Sequence, residues 1–251
     1  MRFPEFFGKH KIKKGVEEEK GDRTKEIKTG CDPEISLITL EELNERLYLP
    51  LKEIEIVEDV PDERNREILE DITTVYAGFP DSVKRLFRYK TSAIYYLPYK
   101  CNLSGLTIVD RYHNDKAIIV VNAKAAERGI SITLLHELGH CLDFNTYPPM
   151  YTPKWAWKFL DKFDKEIVIK EPEPLEGIER DDAYFFGERK EEWASRLAAT
   201  ILALYFPKAS EITVTGLRKP PLTVDEFKEE YPQSYRFFKN FLRMLSKQMI
   251  D

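Results

Sequence analysis

The chain has 251 residues, 42% of them apolar and 12% aromatic, enough to close a sizeable core in one large domain or two lobes. Its 39 Lys and Arg are dispersed among 44 Asp and Glu, leaving a net charge of -5 and no basic field for a phosphate backbone, so composition argues against a nucleic-acid partner. No apolar run is long enough to span a bilayer, and Met1 to Lys9 lack the apolar core of a secretory signal, so the default expectation is a cytoplasmic monomer that needs a non-classical route if it acts elsewhere.

In chain order, residues 8–30 alternate Lys and Glu with glycines and few large apolar side chains, a composition that cannot offset ordering entropy. Residues 1–30 therefore read as a flexible tail, and His10 within it receives no role. Cys31, Cys101 and Cys141 are odd in number and widely spaced, which reads as free thiols rather than a disulfide framework. Thr39 and Glu42 form a capping box that opens a short helix to Tyr48, and partly alternating apolar residues suggest a strand over 52–60. Pro61 opens a helix through Tyr76, which Gly78 and Pro80 stop, and a second short helix covers 81–89. Residues 92–97, 106–111 and 116–122 are β-rich, with His113-Asn114-Asp115 as a turn and His113 as a loop residue. Beyond residue 143 come a Pro- and Tyr-rich stretch (145–153), an aromatic helix (154–163), an acidic Pro-containing loop (170–182) and a clear helix (188–206). A second capping box at Thr223 and Glu226 precedes a final aromatic helix over 232–250.

The stretch around which these elements are arranged is Leu134-Leu135-His136-Glu137-Leu138-Gly139-His140-Cys141-Leu142-Asp143, which holds half of the chain's four histidines. Residues four apart lie on one helix face, so the imidazoles of His136 and His140 can converge on one metal ion, with Glu137 beside it as a general base. Leu134, Leu135, Leu138 and Leu142 make the other sides apolar, as in a buried helix. Burying three titratable side chains at adjoining positions is costly unless something such as a cation compensates them together.

A catalytic zinc site takes three protein ligands and leaves the fourth position to water. Metzincins would supply Gly and His beyond the helix, but Asp143 and Thr146 stand there. Glu188, Glu191 and Glu192 on the later helix are the alternatives. Glu191 shares its face with the small residues Ala194, Ser195 and Ala198, whereas Glu192 stands four before Arg196 and reads as the surface half of an ion pair. Spacing favours Glu191 without deciding the matter.

HELGHCLD, followed by Tyr184 and by Glu191-Glu192-Trp193-Ala194, resembles the catalytic domain of anthrax lethal factor and the related clostridial Pro-Pro endopeptidases. That family carries His-Glu-x-x-His-x-x-Asp, then a tyrosine seven residues before a metal-binding glutamate in an E-x-[FW]-A helix; Tyr184 stands seven before Glu191. The resemblance covers roughly residues 80 to 245 and includes the closing Pro232 to Phe237. It departs at Ser195, where the family usually has an acid, and between Asp143 and Tyr184, so peptide specificity does not carry over.

The resemblance implies an α+β, zincin-like metalloprotease domain over 31–251, with an N-lobe to about 143 and a C-lobe from 144. It implies one zinc held by His136, His140 and Glu191, Glu137 as the base, Tyr184 as donor to the developing oxyanion, and a protein or peptide substrate. The competing expectation is a catalytically degenerate binding module, against which the retained Glu137 argues, because binding does not need the base. Ala117 to Val121 is a candidate edge strand for an extended peptide, or else a buried middle strand. Asp143 reads either as an acceptor for an imidazole N–H or as a partner at the helix end.

Overall fold

The computed structural model describes residues 31–47, 54–110, 116–143, 154–163, 165, 189–206, 208–214 and 222–249. The tail, the loop with His113, the acidic loop and Tyr184 lie outside the described residues. The protein is α+β, mostly helical around a small mixed sheet, and no helix among the described residues is long and apolar enough to cross a membrane.

The first half runs β1 (Glu34–Leu37), α1 (Leu40–Leu47), β2 (Ile56–Asp59), α2 (Asp62–Gly78) and α3 (Asp81–Lys90). Then follow β3 (Thr91–Leu97), β4 (Tyr99–Cys101), β5 (Gly105–Val109), β6 (Ala117–Asn122), α4 (Ala123–Arg128) and α5 (Ile130–Cys141). The expected capping box opens α1: Thr39 N–H donates to Glu42 Oε2 at 2.8 Å, and Glu42 N–H donates to Thr39 Oγ1 at 3.2 Å. β1, β3, β6 and β5 form the main sheet in that order, parallel except for the antiparallel β5–β6 pair, while β2 and β4 make a separate two-stranded ribbon.

β6 is thus a middle strand, buried at all six positions, because strands pair on both of its sides. The edge on that side of the sheet is β5, so of the two readings of Ala117–Val121 the buried middle strand is the one observed. Period-2 alternation divides the sheet between two cores. Ala117, Ile119 and Val121 face a large helical core with Ile94 and Tyr96, whereas Ile118 and Val120 join Ala93, Tyr95, Leu97 and α1 in a smaller one.

Gly129 joins α4 to α5 with φ of 102°, a conformation that L side chains rarely adopt. After α5 come α6 (Lys154–Lys162), α7 (Arg189–Tyr205), the short antiparallel strands β7 (Thr213–Val214) and β8 (Leu222–Thr223), α8 (Val224–Glu230) and α9 (Pro232–Gln248). The large core runs from α2 and α3 through α5 to α7, α8 and α9, so elements from both halves of the chain share one apolar interior. Trp193 of α7 sits in it edge-on to Phe163, Phe238 and Phe241, with ring centroids 5.0–5.2 Å apart.

Candidate metal centre

α5 is buried along Leu134, Leu135, Leu138, Cys141 and Leu142, none of them measurably exposed, which leaves one strip for its polar residues. That strip faces α7, and the two helices cross at an unusually close point. A Cβ built on Gly139 would lie 2.6 Å from the Ala194 Cα and 2.7 Å from its carbonyl oxygen. The backbones meet because both residues at the crossing are minimal.

This crossing brings the side chains of His136 and His140 against Glu191 in the first turn of α7. The two Nε2 atoms are 3.1 Å apart, His136 Nε2 is 3.1 Å from Glu191 Oε2, and His140 Nε2 is 3.5 Å from Glu191 Oε1. Neighbouring ligands of a tetrahedral metal with bonds of about 2.0–2.1 Å stand about 3.3–3.4 Å apart, so the three donors already have the spacing of one face of such a site. Glu191 can accept from both ring nitrogens when they carry protons, and a cation in their place would take a lone pair from each of the three groups. Among the described residues, these three form a His/Cys/Asp/Glu group able to hold a metal ion. The side chains are only partly exposed, at 22%, 12% and 17%, so a ligand or water can reach them from one side.

The electrostatics match this geometry. Burial would push the Glu191 carboxyl up, but hydrogen bonds and charge from His136 and His140 outweigh it and hold that carboxyl far below the usual carboxylate range. Burial likewise opposes the charged form of His140, yet the hydrogen bond it donates to Glu191 and the charges of Glu137, Glu191 and Asp143 raise its pKa above the ordinary imidazole value. The site is a concentration of negative potential prepared for positive charge.

Several supporting side chains were not legible as such in the sequence. Ser195 Oγ, fully buried, lies 3.1 Å from His136 Nδ1. With Nδ1–H donating to this oxygen, Nε2 keeps its lone pair for a metal, which is how outer contacts fix the tautomer of a ligating imidazole. Ser195 thus places a polar side chain behind His136. Glu137, 4% exposed, is not among the converging donors; its Oε2 accepts from the Thr107 hydroxyl of β5 at 2.8 Å.

Asp143, just beyond α5, accepts from Arg189 Nη1 at 2.6 Å, and the Arg189 guanidinium lies over the rings of Phe163 and Trp193 at 5.4 and 5.3 Å. Of its two readings, the helix-end partner is the one observed, and it fastens the end of α5 to the start of α7.

Glu192 does pair with Arg196, as its spacing suggests, but not at the surface. Both side chains are fully buried, with Glu192 Oε2 accepting from Arg196 Nε at 2.7 Å, while Nη1 donates to Ser234 Oγ of α9 at 2.8 Å. Helical spacing identifies the partner but not the side of the helix that tertiary packing covers. Glu192 therefore points into the α7–α9 interface, away from the donors that meet at Glu191. No family model, curated protein or solved structure matches the chain.

Proposed function

We propose that this chain is a zinc-dependent endopeptidase with a zincin-like fold, of the lethal-factor-like kind suggested by its motifs. The observation that carries the reading is the meeting of His136, His140 and Glu191 at ligand spacing with a buried carboxylate, Glu137, next to the donors but outside their group. A structural metal site would be closed by a fourth protein ligand and would have no use for that carboxylate.

His136, His140 and Glu191 would hold the zinc, which when bound would supply Lewis acidity to a peptide carbonyl and would lower the pKa of a bound water from 15.7 to about 7. Glu137 carries the proton. It takes one from the attacking water as the C–O bond forms and passes it to the leaving amine as the C–N bond breaks, so that one water is consumed per bond. Ser195 keeps His136 oriented while this happens. Tyr184, outside the described residues, is the donor that the family resemblance assigns to the charge developing on the carbonyl oxygen. β5, the last strand on that side of the sheet and packed beside α5, would offer its edge to an extended substrate backbone.

The test is metal analysis of the purified protein together with a peptide-library cleavage profile of wild type and Glu137→Gln. Wild type should hold one zinc and hydrolyse peptides, whereas Glu137→Gln should hold the same zinc and lose on the order of 100-fold or more in rate. Equal cleavage by both proteins, or none by zinc-loaded wild type, defeats the reading.

A further inference from the structure

β5 presents alternate residues to its two sides. Leu106 and Ile108 pack on the smaller core, which leaves Gly105 and Thr107 facing α5. The Thr107 hydroxyl lies 2.8 Å from Glu137 Oε2 and 3.0 Å from the Glu137 carbonyl oxygen. It has one proton to donate. The carbonyl of an interior helical residue already accepts an intrahelical N–H, while the carboxyl oxygen is closer, so the proton belongs to the carboxyl group. Two residues earlier on the same face, a Cβ at Gly105 would fall 2.7 Å from Glu137 Oε1 and 3.0 Å from its Cδ and Cγ. One strand position therefore donates to the carboxylate while the next on that face leaves the room it occupies.

We infer that Thr107 is a positioning residue for Glu137, fixing through one hydrogen bond the side-chain conformation in which the base stands beside the metal donors, in a berth that exists only because residue 105 is glycine. The inference rests on the proposed peptidase reading and deepens it. It makes β5 the element that sets the direction of proton transfer, whereas α5 alone sets only the height of Glu137 along the helix. A glutamate side chain has three rotatable bonds, and a carboxylate displaced by about 1 Å from the reacting water loses on the order of 100-fold in rate.

Three variants separate this from a packing role. Thr107→Val keeps the shape and removes the donor, Thr107→Ser keeps the donor, and Gly105→Ala pushes on the movable end of Glu137 and not on backbone. With zinc content unchanged in all three, Thr107→Val and Gly105→Ala should lower kcat on a cleaved peptide by on the order of tenfold to 100-fold with KM little altered, and Thr107→Ser should recover most of the rate. A second readout needs no turnover: in metal-free protein, Thr107→Val should lower the thermal midpoint by roughly 3 °C when Glu137 is present and by much less in a Glu137→Ala background. Wild-type kcat in Thr107→Val, or equal midpoint shifts in both backgrounds, overturns the inference. If zinc-loaded wild type hydrolyses no peptide, it is the peptidase reading that fails, and the midpoint cycle alone then decides whether Thr107 holds Glu137.

Discussion

Two neighbouring glutamates, one turn into α7, are separated by about 100° of helical rotation, and this sends them to opposite duties. Glu191 meets the imidazoles, and Glu192 is sealed against Arg196, which itself donates to Ser234. Glu192→Ala leaves a buried guanidinium without its carboxylate, which typically costs about 3–5 kcal/mol, so urea unfolding should shift strongly while zinc stays near one per chain. Zinc loss in Glu192→Ala with retention in Glu191→Ala would reverse the assignment. Ser195→Ala should show the complementary pattern: little change in unfolding, but metal affinity weakened about 10- to 100-fold in a chelator competition, because His136 loses the partner of its other nitrogen. The pairing of His136 with His140 was legible in the sequence because one helical turn brings two such side chains together with no help from the rest of the chain. Thr107 and Ser195 were not, because their partners Glu137 and His136 lie 30 and 59 residues away and nothing local marks them.

At the scale of elements, the site depends on how closely α5 approaches α7. Glycine inside a helix costs about 1 kcal/mol against alanine, and Gly139 repays that by letting the Ala194 backbone come within 2.6 Å of where a Cβ would stand. Gly139→Ala would meet backbone and not a movable side chain, so the helices must separate. The expected loss is about 1–3 kcal/mol in denaturant unfolding, with zinc affinity falling in parallel as Glu191 draws away from the histidines. A variant that keeps both wild-type stability and wild-type zinc affinity would show that the crossing is looser than described. An interior glycine is itself a signal for such a contact, although it does not name the partner. The long helices α2, α3, α7 and α9 were readable from caps and periodicity to within a few residues. Short elements were not: β1, β4 and α4 span four, three and six residues, too few for a period to show. α4 had a further disguise, since Asn122 is at once the last residue of β6 and the helix cap, its side chain accepting from Lys124 N–H at 2.9 Å. Whether Ala117–Val121 lies at an edge or in the middle depends on strand order, which an apolar run does not encode.

For the molecule as a whole, a metal at this centre would fasten His140 on α5 to Glu191 on α7 across 50 intervening residues, so that part of the stability resides in an exchangeable ion. The pH dependence of that part has a definite sign. Without metal, Glu191 is held below its ordinary value of 4.5, so its contribution is present above that pH and is lost as pH falls through its lowered pKa. His140 is raised above its ordinary 6.5, so its contribution is full below 6.5 and is lost as pH rises through its raised pKa. The metal-free centre is thus at its best between about pH 4.5 and 6.5, the range in which a histidine proton does a cation's work. Zinc needs neutral imidazoles and competes with that proton, so binding strengthens as pH rises through the same range. The difference in thermal midpoint between zinc-loaded and EDTA-treated protein should accordingly be small near pH 5 and widen steadily toward pH 8. His136→Ala and Glu191→Ala should each flatten that difference at every pH. Glu137→Gln should preserve most of it, because Glu137 is not among the three converging donors. A midpoint difference that is constant with pH, or that persists in His136→Ala, would mean that the metal stabilises the chain from somewhere other than this centre.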